Sequence, residues 1–142
     1  MKKCLILLVI SFGFSKMFCQ INSNSDTTML LVVEKMPVFS KKCFDLKRED
    51  DKYNCTQKAI KEYIGLFNPH LFSNKCLEGN IYISFVIDID GSVIDVILRR
   101  GIEDKIDNEA IEHIKKMPTF YKPGLQRGIP VQVRYTVPIS LK

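Results

Sequence analysis

Ile81, Ile83, Phe85 and Ile87 alternate with Asn80, Tyr82, Ser84 and Val86, and that period of two predicts a strand over about residues 80–88. The chain then reaches Asp88-Ile89-Asp90-Gly91, whose Asp-Gly pair tolerates positive φ, and a β-branched run resumes at Val93. A hairpin with a second strand near 92–100 follows. Val93 and Val96 are oddly spaced, so a regular strand cannot turn both inward, and a bulge near the turn is expected. Ile60, Tyr63, Ile64 and Phe67 fall at i, i+3, i+4, i+7, which predicts a helix over 56–67, capped by Asn54 or Thr56, weakened by Gly65 and ended by Asn68-Pro69. Ala110, Ile111, Ile114 and Met117 predict a second helix over 106–117, with Asp107 as its cap, Ile106 stapled to Ile111 and Pro118 as its stop. Lys115 and Lys116 suit the negative end of its dipole. A third alternation, Val131, Val133, Tyr135 and Val137, predicts a strand near 130–140. Pro138 cannot donate to a ladder, so a strand holding it belongs at the edge of a sheet or at its end. The fold class is therefore α+β: a three-stranded antiparallel sheet with two helices packed on one face.

The remaining stretches are less periodic. Residues 1–19 have the parts of a cleaved secretory signal: Lys2-Lys3, an apolar run over 5–14, and a polar exit from Lys16. That run is about half of the roughly 20 residues a spanning helix needs. Bulky Phe18 disfavours Cys19 as a lipidated residue, so a membrane tether is the minor reading. Residues 20–35 read as a flexible mature N-terminus in which 29–33 could add as a strand, followed by one domain over 36–142 that opens on an extended Met36-Pro37-Val38-Phe39. The mixed charges of 41–52 read as a solvated loop.

Charge and cysteines narrow the function. The formal net charge is +5, but removing Lys2, Lys3 and Lys16 with the leader leaves 18 basic against 16 acidic residues, too even a balance to suggest nucleic acid. An exported chain keeps Cys43, Cys55 and Cys76 in an oxidising compartment, and three thiols permit three different bridges. Cys43 with Cys55 flanks the polar run 45–54, and closing so short a loop is worth on the order of 3 kcal/mol. Three buried thiols without a bridge are the plain alternative.

No constellation points to catalysis or a cofactor. Asp88 and Asp90 lack the further ligands of a calcium loop, so turn chemistry accounts for them. His70 and His113 are the two histidines, and His113 has no second ligand at i+4, so no metal site is expected. Cys76 near His70 lacks a third group to orient the pair. No phosphate-binding glycine loop or nucleophile elbow occurs.

Three segments together carry a resemblance: Glu78-Gly79 leading into the strand with Phe85; the Asp90-Gly91 turn followed by Val93; and Met117-Pro118-Thr119-Phe120-Tyr121-Lys122-Pro123-Gly124 leading through Gln126-Arg127-Gly128 to the last strand. They resemble the C-terminal domain of the TonB family, over about residues 36–142. Met36-Pro37-Val38-Phe39, with Cys43 and Cys55 behind it, is similar to stand-alone or receptor-linked versions common in Bacteroidetes-type bacteria. Asn68-Pro69 stands where the family usually has a tyrosine-proline pair, and neither a spanning helix nor a long proline-rich linker is in view. The resemblance implies a non-enzymatic periplasmic module that engages outer-membrane transporters in energy-coupled transport, and it implies that the first hairpin strand is central.

An edge strand explains how such a module would bind. Unpaired backbone groups of Val131, Gln132, Val133, Arg134, Tyr135, Thr136 and Val137 can accept an extended peptide as a further strand. Outward Gln132, Arg134 and Thr136 would set preference, with Arg134 able to grip a carboxylate. The alternatives are an edge merely protected by Pro138 and Arg134, or a structural domain that forms a homodimer through the same strand.

Overall fold

The computed structural model of this chain describes residues 30–69 and 78–141. The expected leader, residues 20–29, His70 and Cys76 lie outside the described residues. In chain order the elements are α1 (Lys41–Phe44), α2 (Glu49–Ile64), β1 (Gly79–Ile87), β2 (Val93–Arg100), α3 (Asp104–Lys115), β3 (Gly124–Gln126), β4 (Ile129–Val131) and β5 (Val133–Leu141).

The alternation of β1 does what it predicts. Ile81, Ile83, Phe85 and Ile87 are all fully buried beneath the helices, in one cluster with Ile60 and Ile64 of α2, Ile106, Ala110 and Ile114 of α3, and Val133, Tyr135 and Val137 of β5. Each such side chain contributes roughly 1.5–3 kcal/mol by leaving water. The sheet is antiparallel with order β2-β1-β5, so the first hairpin strand is central and the terminal strand lies at an edge, as the proline in it requires. The expected bulge is present: Ser84 pairs with Ile97 and Val86 with Ile94, so Asp95 and Val96 both oppose Phe85, and Asp95 takes φ 49. This turns Val93, Val96 and Leu98 toward the core despite their uneven spacing.

The turn joining β1 and β2 is closed by its own side chains. Ile89 N–H donates to the Asp88 carboxylate, and the N–H and hydroxyl of Ser92 both donate to Asp90 Oδ1, which holds the Asp90 carboxyl below its usual range. Gly91 has φ +87, its carbonyl accepts from Phe120 N–H at 2.8 Å, and a Cβ there would lie 2.4 Å from the Phe120 oxygen. Only glycine allows that approach.

Several sequence expectations need correction. The first helix begins at Glu49, seven residues before 56, because Glu49, Asp50 and Asp51 in its first turn complement the dipole. The charged stretch is therefore α1 and the start of α2 rather than a solvated loop, and the polar run between the two cysteines is largely helical. Thr56 is no cap: it is fully buried, and its Oγ1 accepts from Phe39 N–H at 3.2 Å. The helix stops at Gly65, ahead of Asn68-Pro69.

The second helix starts at Asp104 with Glu103 before it, so Asp107 is not the cap. Asp107 is 5 % exposed and its carboxylate reaches back to accept from Ile102 N–H at 3.0 and 3.1 Å. Ile106, expected outside the helix as a staple, lies inside it and in the core. Finally, residues 129–131 belong to a separate two-stranded ribbon, β3-β4, and β5 starts only at Val133. Arg127 (φ 51) and Gly128 (φ 77) form its two-residue loop, where both central residues need positive φ.

An N-terminal strap, residues 30–39, crosses these elements. Lys35 pairs with Leu125 and Val38 with Lys122 in antiparallel bridges, burying Val33, Pro37 and Val38. The sulfurs of Cys43 and Cys55 are joined, tying α1 to the middle of α2.

Candidate peptide-binding edge

β5 pairs with β1 without irregularity from Leu141 to Val133, so its backbone groups alternate strictly between inward and outward. The phase is fixed by Arg134, whose N–H donates at 2.9 Å to Leu30 O, away from β1. Val133, Tyr135, Val137, Ile139 and Leu141 therefore bond to β1, while Arg134, Thr136, Pro138 and Ser140 direct their backbone groups outward. Pro138 has no N–H, so it occupies an outward position at no loss to the ladder. Of the outward donors, Arg134 is occupied by Leu30, and Leu30 N–H in turn donates to Gln132 O at 3.1 Å. Thr136 and Ser140 are the outward N–H groups beyond that bridge.

The residues singled out in the sequence separate by element. Val131 belongs to β4 and pairs with Gly124, so it is not part of the terminal strand. Gln132 lies between the two strands and donates through its side chain to Asp88 Oδ1 at 2.9 Å, fastening the hairpin turn to the start of β5. Val133, Tyr135 and Val137 face the core. The Tyr135 ring stacks on Phe85 with centroids 5.9 Å apart, and its hydroxyl has no hydrogen-bond partner among the described residues. Burial pushes the phenol far above its ordinary range, with Tyr53 adding to the shift.

Arg134 is not held out toward an incoming carboxylate. Its guanidinium crosses β1 on the face of the sheet opposite α2 and α3, donating to Ser84 Oγ at 3.2 Å and pairing with Asp95 of β2. Its side chain is only 15 % exposed. Thr136 alone of the three outward residues is exposed. One participant escaped the sequence reading, Asp95, while Leu30 lies in the run 29–33 expected to add as a strand and forms one bridge of it, to Val133. The signal for Asp95 was an acid within an otherwise apolar strand.

Elsewhere the surface offers little chemistry. A groove of about 320 Å³ lies among Lys35, Met36, Val38, Phe44, Lys52, Lys122 and Leu125, with apolar walls and no nucleophile paired with a base. Lys52 and Lys122 lie over the Phe44 ring at 5.2 and 5.6 Å. His113 Nε2 pairs with Tyr63 O at 3.1 Å while Tyr63 hydroxyl donates to His113 O at 3.0 Å, and the rings stack at 4.7 Å. That reciprocal clasp gives His113 a structural role joining α2 to α3. No group of three or more metal-ligating side chains occurs among the described residues.

The family model for the Gram-negative bacterial TonB protein C-terminal domain matches residues 69–142, just over half of the chain. The chain belongs to that family. The matched stretch contains β1, β2, α3 and β5, so the central strand and the edge both fall within the TonB domain. No curated protein matches the chain. Among solved structures it is similar to the C-terminal domain of Helicobacter pylori TonB, determined by NMR in solution. The identity is 22 %, the match covers 72 % of this chain and 91 % of that one, and the TM-score is 0.44. Among the described residues no helix is long and apolar enough to cross a membrane.

Proposed function

We propose that this TonB C-terminal domain is a periplasmic protein-binding module that engages outer-membrane transporters by adding an extended transporter segment as a fourth strand on β5. The observation that supports this most directly is the nine-residue edge strand, with the outward backbone groups of Thr136 and Ser140. Main-chain bonds would supply the affinity, as in other cases of strand addition. Arg134 plays a smaller part than its sequence position suggests, because Asp95 already engages its guanidinium. The role is binding rather than catalysis, and export by the expected leader accounts for the oxidised Cys43–Cys55 pair.

The test is a titration of a peptide from the N-terminal segment of a transporter of the same cell into isotope-labelled protein. Amides of Thr136 and Ser140 are expected to shift first, with those of α3 unmoved. Thr136→Pro removes an outward donor without breaking a bond to β1, and it is expected to abolish binding while the fold survives. Shifts confined to α1 and α2, or none at millimolar peptide, count against the reading.

A second reading follows from the same geometry, since an antiparallel edge can pair with its own copy about a two-fold axis. It predicts a homodimer that Thr136→Pro converts to monomer and a monomer that binds no peptide. Light scattering of the two proteins separates the readings.

A further inference from the structure

We propose that Leu30 is a built-in competitor for the edge of β5, occupying the Gln132 and Arg134 backbone groups until an incoming strand displaces it. This rests on the strand-addition reading above and adds a regulatory step to it. Among the described residues of the strap, Leu30 alone bridges β5, in parallel to Val133, with one hydrogen bond given to Gln132 O and one received from Arg134 N–H. An added strand would use those same two groups, so the two occupants exclude each other.

The strap is built to release at this end alone. Leu31 and Val32, which follow the bridge, are 69 % and 81 % exposed, so the apolar hold at this end is the Leu30 side chain, which packs half-buried against the core. The next residues are held firmly: Val33 is buried, Glu34 N–H donates to Gln126 Oε1, and the Glu34 carboxylate accepts from Arg127 N–H at 2.9 Å. Lys35 then exchanges two backbone bonds with Leu125, at 3.1 and 2.8 Å. Residues 31 and 32 therefore form a hinge between Leu30, held by two backbone bonds and a half-buried side chain, and a more firmly fixed base. Two hydrogen bonds and one half-buried side chain, followed by two exposed residues, open locally at lower cost than the base of the strap.

The same geometry divides the edge. With Leu30 in place, an added strand meets donors at Thr136 and Ser140 and a proline between them, a poor template. With Leu30 lifted, Arg134 N–H and Gln132 C=O extend the template across the whole strand. Because the competitor is tethered, its effective concentration is high, and the apparent affinity for a partner falls by the fraction of molecules in which the edge is open.

Leu30→Pro in the full chain tests this, because the ring replaces the N–H that stands 3.1 Å from Gln132 O and forces the strap outward. An acetylated peptide with the sequence of residues 30–35, Leu-Leu-Val-Val-Glu-Lys, serves as the probe in trans. Two results are expected: faster amide exchange at Arg134 with Val137 and Ile139 still protected, and probe binding about tenfold or more tighter than to the unsubstituted protein. Leu30→Gly, which keeps the N–H but loses strand preference, is expected to fall between the two and guards against a folding defect. Equal probe affinity in all three proteins, or unchanged Arg134 exchange in Leu30→Pro, overturns the proposal. A transporter peptide that binds none of the three, while the probe still binds Leu30→Pro, sinks strand addition by transporters and leaves the strap as the natural occupant of the edge.

Discussion

Tyr135 carries an unusual burden for a single residue, since its ring is needed under the sheet while its hydroxyl is buried without a partner among the described residues. An unsatisfied buried hydroxyl costs about 1–3 kcal/mol, so Tyr135→Phe is expected to leave stability unchanged or raise it by about 1 kcal/mol, read as a shift in urea midpoint. The pH dependence has a definite sign. The native phenol titrates above its ordinary value of 10.0, so above about pH 10 the unfolded chain loses a proton that the folded one retains. Stability is then full below pH 10 and falls as pH rises, and Tyr135→Phe is expected to reduce that alkaline loss. Burial raises Tyr63 too, so part of the loss remains in the variant. Gly91 shows the opposite kind of constraint. Any side chain there meets the Phe120 carbonyl at 2.4 Å in a left-handed conformation, and Gly91→Ala is expected to cost more than about 2 kcal/mol.

Among the elements, those whose periodicity is set by burial were legible in the sequence. β1 alternates because one face meets two helices, and the uneven valines of β2 disclosed the bulge before the register was known. The helix starts were not legible, because neither has a side-chain cap at Arg48 or Glu103, and the expected cap residues serve inside the helices instead. α1 and the first turns of α2 were hidden for another reason. Their sequence is charged and nearly patternless, and their position depends on tertiary links: the Cys43–Cys55 bond and the bond from Phe39 N–H to Thr56. Replacing both cysteines by serine removes a cross-link of sequence separation 12 and is expected to cost about 3 kcal/mol in denaturant unfolding. Exchange protection of β1 and β5 in the native state should change little, because α1 lies outside their hydrogen-bond ladder. A loss of β5 protection equal to that of α1 would mean that the cross-link supports the whole sheet.

At the scale of the whole molecule, the edge was legible from Pro138, but its availability was not, because two of its outward groups are taken by a residue about a hundred positions away and its arginine is taken by an acid across the sheet. Arg134 of β5 and Asp95 of β2 sit on the two outer strands, with Ser84 of β1 between them. The pair thus stitches the three strands on the face opposite α2 and α3, where Ser84 and Val86 are fully buried. Asp95 is 43 % exposed, so screening limits its worth to about 1 kcal/mol. Its φ of 49 separates the charge from the conformation, since asparagine and glycine tolerate that region and alanine does not. The expected order of stability is wild type first, Asp95→Asn and Asp95→Gly lower by about 1 kcal/mol or less, and Asp95→Ala lowest, lower by about 1–2 kcal/mol, with the gap to Asp95→Asn closing in 1 M salt. The same substitution bears on binding. The guanidinium also donates to Ser84 Oγ across β1, so Asp95→Asn is expected to leave the affinity for acidic and neutral extended peptides alike. A gain for acidic peptides alone would mean that the guanidinium turns to the added strand; with none, partner choice at this edge rests on Thr136 and the backbone.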